Sequence, residues 1–161
     1  WSVINTLSVK LARKHHDCPI LIWTNKPDLI PQEVHDIASV TFISLPTHAG
    51  ETKIEYPQYV ADVLRLDLLY VSGGIYMDTD ILLQKPLTEF LSEERLVMSW
   101  ETPDRRSISN ALMMSPTNNL FIEEWLRRIP DYEVVPDAAL RTRTGIVATL
   151  ESLPLRWPVV G

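Results

Sequence analysis

Gly73-Gly74-Ile75-Tyr76-Met77-Asp78-Thr79-Asp80 is the stretch from which the rest of the chain can be read. Two glycines permit a sharp turn, and a short apolar run follows that carries two carboxylates two residues apart. Side chains alternate along a strand, so Tyr76, Asp78 and Asp80 are expected on one face, with Ile75, Met77, Thr79 and Ile81 on the other. Such a carboxylate face must be solvated, paired or bound to a cation, because an isolated buried carboxylate is too costly to keep ionised. Hard oxygen ligands suit Mn²⁺ or Mg²⁺. An extended backbone sets the two Asp Cα atoms about 6.6 Å apart, whereas two oxygens on one Mg²⁺ lie at most about 4.2 Å apart. One carboxylate is therefore expected to ligate directly, the other bending in or acting through water or the hydroxyls of a ligand. Sites of this kind are completed by substrate phosphates, so a phosphorylated ligand is expected.

The residues just upstream, Tyr59 to Val71, predict a buried helix: Val60, Val63, Leu64, Leu66, Leu68, Leu69, Tyr70 and Val71 surround most of its circumference. Asp62, Arg65 and Asp67 are the exceptions. Asp62 and Arg65 are three apart and share a face, while Asp67 points nearly the opposite way. Taken alone, the first two read as an intrahelical salt bridge. A left-handed glycine C-cap at Ser72-Gly73-Gly74 would fold the helix straight into the strand, bringing the Asp62/Arg65 face toward Tyr76, Asp78 and Asp80.

Working outward, Ile4, Leu7, Ser8, Leu11 and Ala12 predict a first helix ending near His16, with Arg13 and Lys14 where the helix dipole favours positive charge. His15 and His16 point about 100° apart in a helix and make a poor chelate. Ile20 to Trp23 and Val40 to Leu45 are apolar runs suited to parallel strands covered on both faces, with a short helix, Gln32 to Ile37, between them. Beyond the carboxylates, a short helix is expected from Thr88 to about Glu93 and strands at Arg95 to Trp100 and Ile108 to Met114, the latter containing Asn110. An amphipathic helix follows with Ile122, Trp125, Leu126 and Ile129 as its stripe. A short strand at 131–135 and a helix at 146–153, entered through Thr144-Gly145, complete the reading. Arg105 and Arg106 fall in a polar loop. The pattern is that of one α/β domain over residues 1–161, a mostly parallel sheet flanked by helices.

Composition narrows the function classes. The chain has 161 residues, 45% hydrophobic and 22% charged, enough for one soluble globular domain with a core. A formal net charge of −6 disfavours nucleic acid or an acidic membrane surface as partner. With one cysteine, Cys18, neither an internal disulfide nor a cysteine-based zinc site can form. No apolar run reaches membrane-spanning length and no signal peptide is visible, so membrane contact is expected only through an anchor outside this chain. The opening at Trp1, without an initiator Met, and the Pro-rich end are expected of a chain truncated at both ends.

The composite of Asp62-x-x-Arg65, then Gly73-Gly74-Ile75-Tyr76, then Asp78-x-Asp80 resembles the glycosyltransferases that carry a DXD sugar-binding motif. That group includes fungal initiating α-1,6-mannosyltransferases, α-1,4-galactosyltransferase-like enzymes, bacterial capsule and polysaccharide enzymes and glucosylating clostridial toxins. The resemblance implies a Rossmann-like GT-A fold, a divalent cation, usually Mn²⁺, and a UDP- or GDP-sugar donor with a glycan, lipid or protein acceptor. It implies that Asp80 ligates the metal bridging the donor diphosphate and that Asp78 meets donor hydroxyls as well as the metal. Asp62 and Arg65 would contact the donor sugar, Arg65 also offsetting pyrophosphate charge, with Tyr76 supporting the pocket and Asn110 facing the sugar. It further implies retention of anomeric configuration. Relatives occur in the Golgi lumen, in bacterial cytoplasm and as exported toxins, so the resemblance does not decide a compartment. Two alternatives compete: a non-catalytic sugar-nucleotide-binding domain, and a haloacid-dehalogenase-like phosphatase with Asp78 as nucleophile and Asp80 as acid/base. The phosphatase motif expects Thr or Val where Leu82 stands.

Overall fold

The computed structural model describes residues 1–45, 47–49, 52–54, 57–91 and 95–129. The expected strand at 131–135 and helix at 146–153 lie outside them.

Helix α1 (Val3–His15) starts from a capping box: the Ser2 hydroxyl accepts from Asn5 N at 3.3 Å while Asn5 Oδ1 accepts from Ser2 N at 2.7 Å. Arg13, Lys14 and His15 occupy its last turn, as the helix dipole favours. His16, just beyond, does not belong to a histidine chelate. Its Nε2 accepts from Leu87 N at 3.2 Å and ties the helix end to the segment after the carboxylates.

Strand β1 (Leu21–Thr24) pairs in parallel with β2 (Ser39–Phe42) through α2 (Gln32–His35), the expected βαβ rhythm. Its cover is one-sided. Ile22 is buried with Val9, Ile30 and Val34, while Leu21 and Trp23 on the other face are 53% and 40% exposed. The expectation of strands covered on both faces therefore fails here, because α1 and α2 pack against the Ile22 side. Strands β3 (His48–Ala49) and β4 (Thr52–Lys53) form a small antiparallel pair.

Helix α3 (Pro57–Ser72) leads into β5 (Gly74–Met77) through Gly73, whose φ of 62° is the left-handed conformation expected at the cap. A Cβ on Gly73 would lie 2.9 Å from Thr117 N, so both the conformation and the space demand glycine. Strand β5 lies beside β7 (Ile108–Ser115), which also pairs with β6 (Val97–Trp100), giving the order β5-β7-β6. Both pairings are antiparallel, so among the described residues parallel pairing is confined to β1 and β2. The helix expected from Thr88 is a single 3-10 turn, Thr88–Phe90.

This three-stranded sheet is covered on both faces. Helices α3 and α4 (Leu120–Arg128) supply Leu66, Leu69, Phe121, Ile122 and Trp125, which pack with Met113 on one side. Ala12 of α1 and Leu83 and Leu87 pack with Met114 on the other. Helix α1 thus contributes Val9 to the core under the parallel pair and Ala12 to the core under the antiparallel sheet. No helix among the described residues is long and apolar enough to cross a membrane.

Candidate functional site

Five of the six residues singled out from the sequence meet where α3 crosses the end of the antiparallel sheet, around the guanidinium of Arg65. Nη2 lies 3.1 Å from Asp62 Oδ1 and 3.7 Å from Asp78 Oδ1. Nη1 donates to the Asn110 carbonyl at 2.6 Å, and Nε to the Ala61 carbonyl at 3.3 Å. The Tyr76 ring stacks under it, 4.8 Å from the guanidinium carbon to the ring centre, and the Tyr76 hydroxyl donates to Asp78 Oδ1 at 2.7 Å. Asn110 Nδ2 completes the cluster by donating to Asp62 Oδ1 at 3.0 Å. Asp62 and Arg65 are thus an intrahelical pair and at the same time part of a larger network. Asp67 points away and is exposed, as expected.

Burial pushes the Asp62 carboxyl above its ordinary value, against the opposing pull of Arg65 and the Asn110 hydrogen bond, with Asp78 nearby adding to the rise. Burial likewise raises the Tyr76 phenol, only partly offset by Arg65, so Tyr76 is a hydrogen-bond donor across the physiological range. The site therefore holds one cation against two acids, with a neutral phenol between them.

The two carboxylates of the Asp-x-Asp differ from the sequence expectation. Strand β5 ends at Met77. Asp78 N still bonds the Ala111 carbonyl of β7 at 2.8 Å, but the Asp78 carbonyl then accepts from Ile81 N at 3.1 Å, closing a turn. Asp78 consequently opens a turn and Asp80 lies within it, rather than the two sharing a strand face, and the extended-strand spacing does not apply to them. Asp78 has one oxygen engaged by Tyr76 and Arg65, whereas Asp80 is exposed and has no hydrogen-bond or ion-pair partner among the described residues.

Asn110 reaches Asp62 because β7 bulges. Met98 of β6 faces Met113, but the next residue, Ser99, faces Ser109, so the intervening residues of β7 have no partners in β6. The bulge resets the alternation: Ile108 joins Met113 on the α3 side, and the Asn110 side chain meets Asp62 on that same helix.

Two residues unremarked in the sequence as site residues hold the turn from behind. Asn5 Nδ2 donates to both the carbonyl (3.1 Å) and the hydroxyl (2.9 Å) of Thr79, and the Ser8 hydroxyl donates to the Ile81 carbonyl at 2.6 Å. Their partners lie more than seventy residues away in sequence, beyond any local periodicity. The loop arginines are not drawn in: Arg106 is 86% exposed and paired with Asp104.

Residues 3–97 match the family model described as glycosyltransferase sugar-binding region containing DXD motif. The chain belongs to this family. Among curated proteins, this DXD glycosyltransferase-family chain is similar to Glucan organizing enzyme 1 of Cryptococcus neoformans var. grubii serotype A, 40% identical over 115 residues. That match covers 62% of this chain and 31% of the relative, so the chain spans about a third of the relative's length. Among solved structures it is similar to PaToxG Glycosyltransferase, with a TM-score of 0.61 and 18% identity, covering 96% of this chain and 64% of that one. That likeness supports a GT-A-like α/β fold. The family match ends before β7, so the position of Asn110 is a finding of the structure rather than of the motif.

The donor set can be weighed against the divalent cation that DXD glycosyltransferases generally use. No group of three or more His, Cys, Asp or Glu among the described residues could hold a metal unaided. An exposed carboxylate with no partner among the described residues, two positions along the chain from one engaged by Tyr76 and Arg65, is instead suited to a cation completed by a ligand's phosphate oxygens. The residues fit that arrangement.

Proposed function

We propose that this chain forms the donor site of a metal-dependent, retaining glycosyltransferase that moves a sugar from a UDP- or GDP-sugar to a glycan, lipid or protein acceptor. The observation that carries this reading is the network of Asp62, Arg65, Tyr76, Asp78 and Asn110, which opens the turn that carries the exposed Asp80. Asp80, assisted by Asp78, would hold the divalent cation, which supplies charge neutralisation for a departing nucleoside diphosphate. Asp62 and Asp78 retain oxygens able to accept from sugar hydroxyls while Arg65 keeps both side chains oriented. Arg65 is also the nearest fixed positive charge to whatever negative charge develops at the site. In the reaction the bond between the anomeric carbon and the diphosphate oxygen breaks, and an acceptor hydroxyl oxygen bonds to that carbon on the same face as its proton passes to the departing diphosphate oxygen. No carboxylate pair is assigned to a double displacement.

The curated relative's name refers to glucan, which makes a polysaccharide the acceptor class to try first. The test is nucleoside diphosphate release from a panel of UDP- and GDP-sugars with Mn²⁺, followed by the anomeric configuration of the product by NMR. Release from one donor, reduced at least a hundredfold in Asp80→Asn, is expected, with retained configuration. A protein that binds a donor yet never releases nucleotide with any acceptor would instead be a sugar-nucleotide-binding module.

A further inference from the structure

We propose that Asn5 and Ser8 of α1 are positioning residues that set the direction in which Asp80 is presented. This inference rests on the reading of Asp80 as the metal-side carboxylate. Asp80 makes no side-chain bond among the described residues, so its placement depends on its backbone. The residues on either side of it are the ones fastened to α1. Thr79 is held at its carbonyl and hydroxyl by Asn5 Nδ2, and Ile81 is held at its carbonyl by Ser8 Oγ. The bond from Ile81 N to the Asp78 carbonyl closes the same turn from within.

The orientation of the Asn5 amide is determined at both ends. Its Oδ1 accepts from Ser2 N and from the Ser2 hydroxyl, leaving Nδ2 to face the Thr79 carbonyl, which can only accept. One side chain therefore joins the start of α1 to the middle residue of the Asp-x-Asp. Ser8 is fully buried, and its hydroxyl hydrogen goes to Ile81. These bonds are not what docks the helix: Val9 and Ala12 of α1 are buried in two separate apolar clusters. The polar bonds add direction at the turn, the property that outer partners confer on metal ligands.

The test uses Mn²⁺ binding followed by loss of the free-ion EPR signal, in the presence of UDP and, in parallel, of GDP. Asn5→Asp keeps the Oδ1 acceptor for Ser2 but removes both donors to Thr79. It also adds negative charge near the cation, which by Coulomb attraction alone would tighten binding. A ten- to hundredfold weaker Mn²⁺ affinity in Asn5→Asp and in Ser8→Ala, with the metal-free melting temperature within a few degrees of wild type, is the expected result. Each variant decides for its own residue, and Thr79→Val, at an exposed position, tests the shared bond without touching α1. Unchanged or tighter binding overturns the inference, as does weaker binding accompanied by a collapsed metal-free melt, which would mark a purely structural role. Wild type that binds no Mn²⁺ with either nucleotide overturns the donor-site reading itself. Wild-type binding with unaffected variants overturns this inference alone.

Discussion

Arg65 is buried and engages through all three guanidinium nitrogens, balancing two acids while supporting the backbone at Asn110. Removing it would leave Asp62 and Asp78 facing one another. Arg65→Ala is expected to lose about 2–3 kcal/mol in urea melts, below the usual 3–5 for a broken buried pair because water still reaches both carboxylates. Arg65→Lys should recover little of that, since an ammonium cannot span Asp62, Asp78 and the Asn110 carbonyl at once. Asp62 gives a pH-dependent signature. Its carboxyl is raised from 3.8 by burial, so its protonated form contributes stability that is full below the unfolded value and is lost as pH rises through the raised folded value. Wild type should therefore lose melting temperature relative to Asp62→Asn as pH rises above 3.8, and a constant difference between the two proteins would refute this.

At the scale of elements, the helix-to-strand corner delivers Tyr76 and Asp78 to Arg65. Gly73→Ala and Gly74→Ala both force an L residue to positive φ, 62° and 95°, but only at Gly73 does the added Cβ also clash, 2.9 Å from Thr117 N, while at Gly74 it meets nothing within 4 Å. Gly73→Ala should cost at least about 1–2 kcal/mol, and more than Gly74→Ala, in paired denaturant melts. This corner was legible in advance because a helical apolar period, a pair of glycines and an apolar strand are all local signals. The same holds for the α4 stripe, the grouping of Asp62, Arg65 and Tyr76, and the existence of α3, although Val71, expected to be buried in it, is 73% exposed. Local periodicity failed where a tight turn, a sheet register or a long-range hydrogen bond overrides it. Period-two reasoning continues β5 through Asp80, but the Asp78 carbonyl bonds Ile81 N, and the strand ends at Met77. Asn110 could be placed near the site, but the bulge that turns its side chain onto α3 depends on the register of β6 against β7. Asn5 and Ser8 carried no signal of this role: Ser8 read only as a small residue in the stripe of the first helix, and the bonds of both reach more than seventy residues along the chain.

Across the molecule, the antiparallel sheet is the platform for the site, and its two faces rest on different cores. Leu66, only 1% exposed, lies one residue beyond Arg65 and packs with Met113 and Ile122 beneath it. Leu66→Ala should cost about 2–5 kcal/mol through the cavity it leaves, read as a lower urea midpoint with unchanged slope. The donor-site reading makes a different demand on the whole fold, since a ligand bound only by the native state must stabilise it. The most direct measurement is the melting temperature with UDP- and GDP-sugars, with and without Mn²⁺, for wild type and Asp80→Asn. At a hundred times its dissociation constant a donor should add about 2.7 kcal/mol. The account predicts an upward shift for a single donor that requires Mn²⁺ and disappears in Asp80→Asn. A cooperative melt that no donor moves, or a donor shift that persists undiminished without Mn²⁺ and in Asp80→Asn, would contradict it.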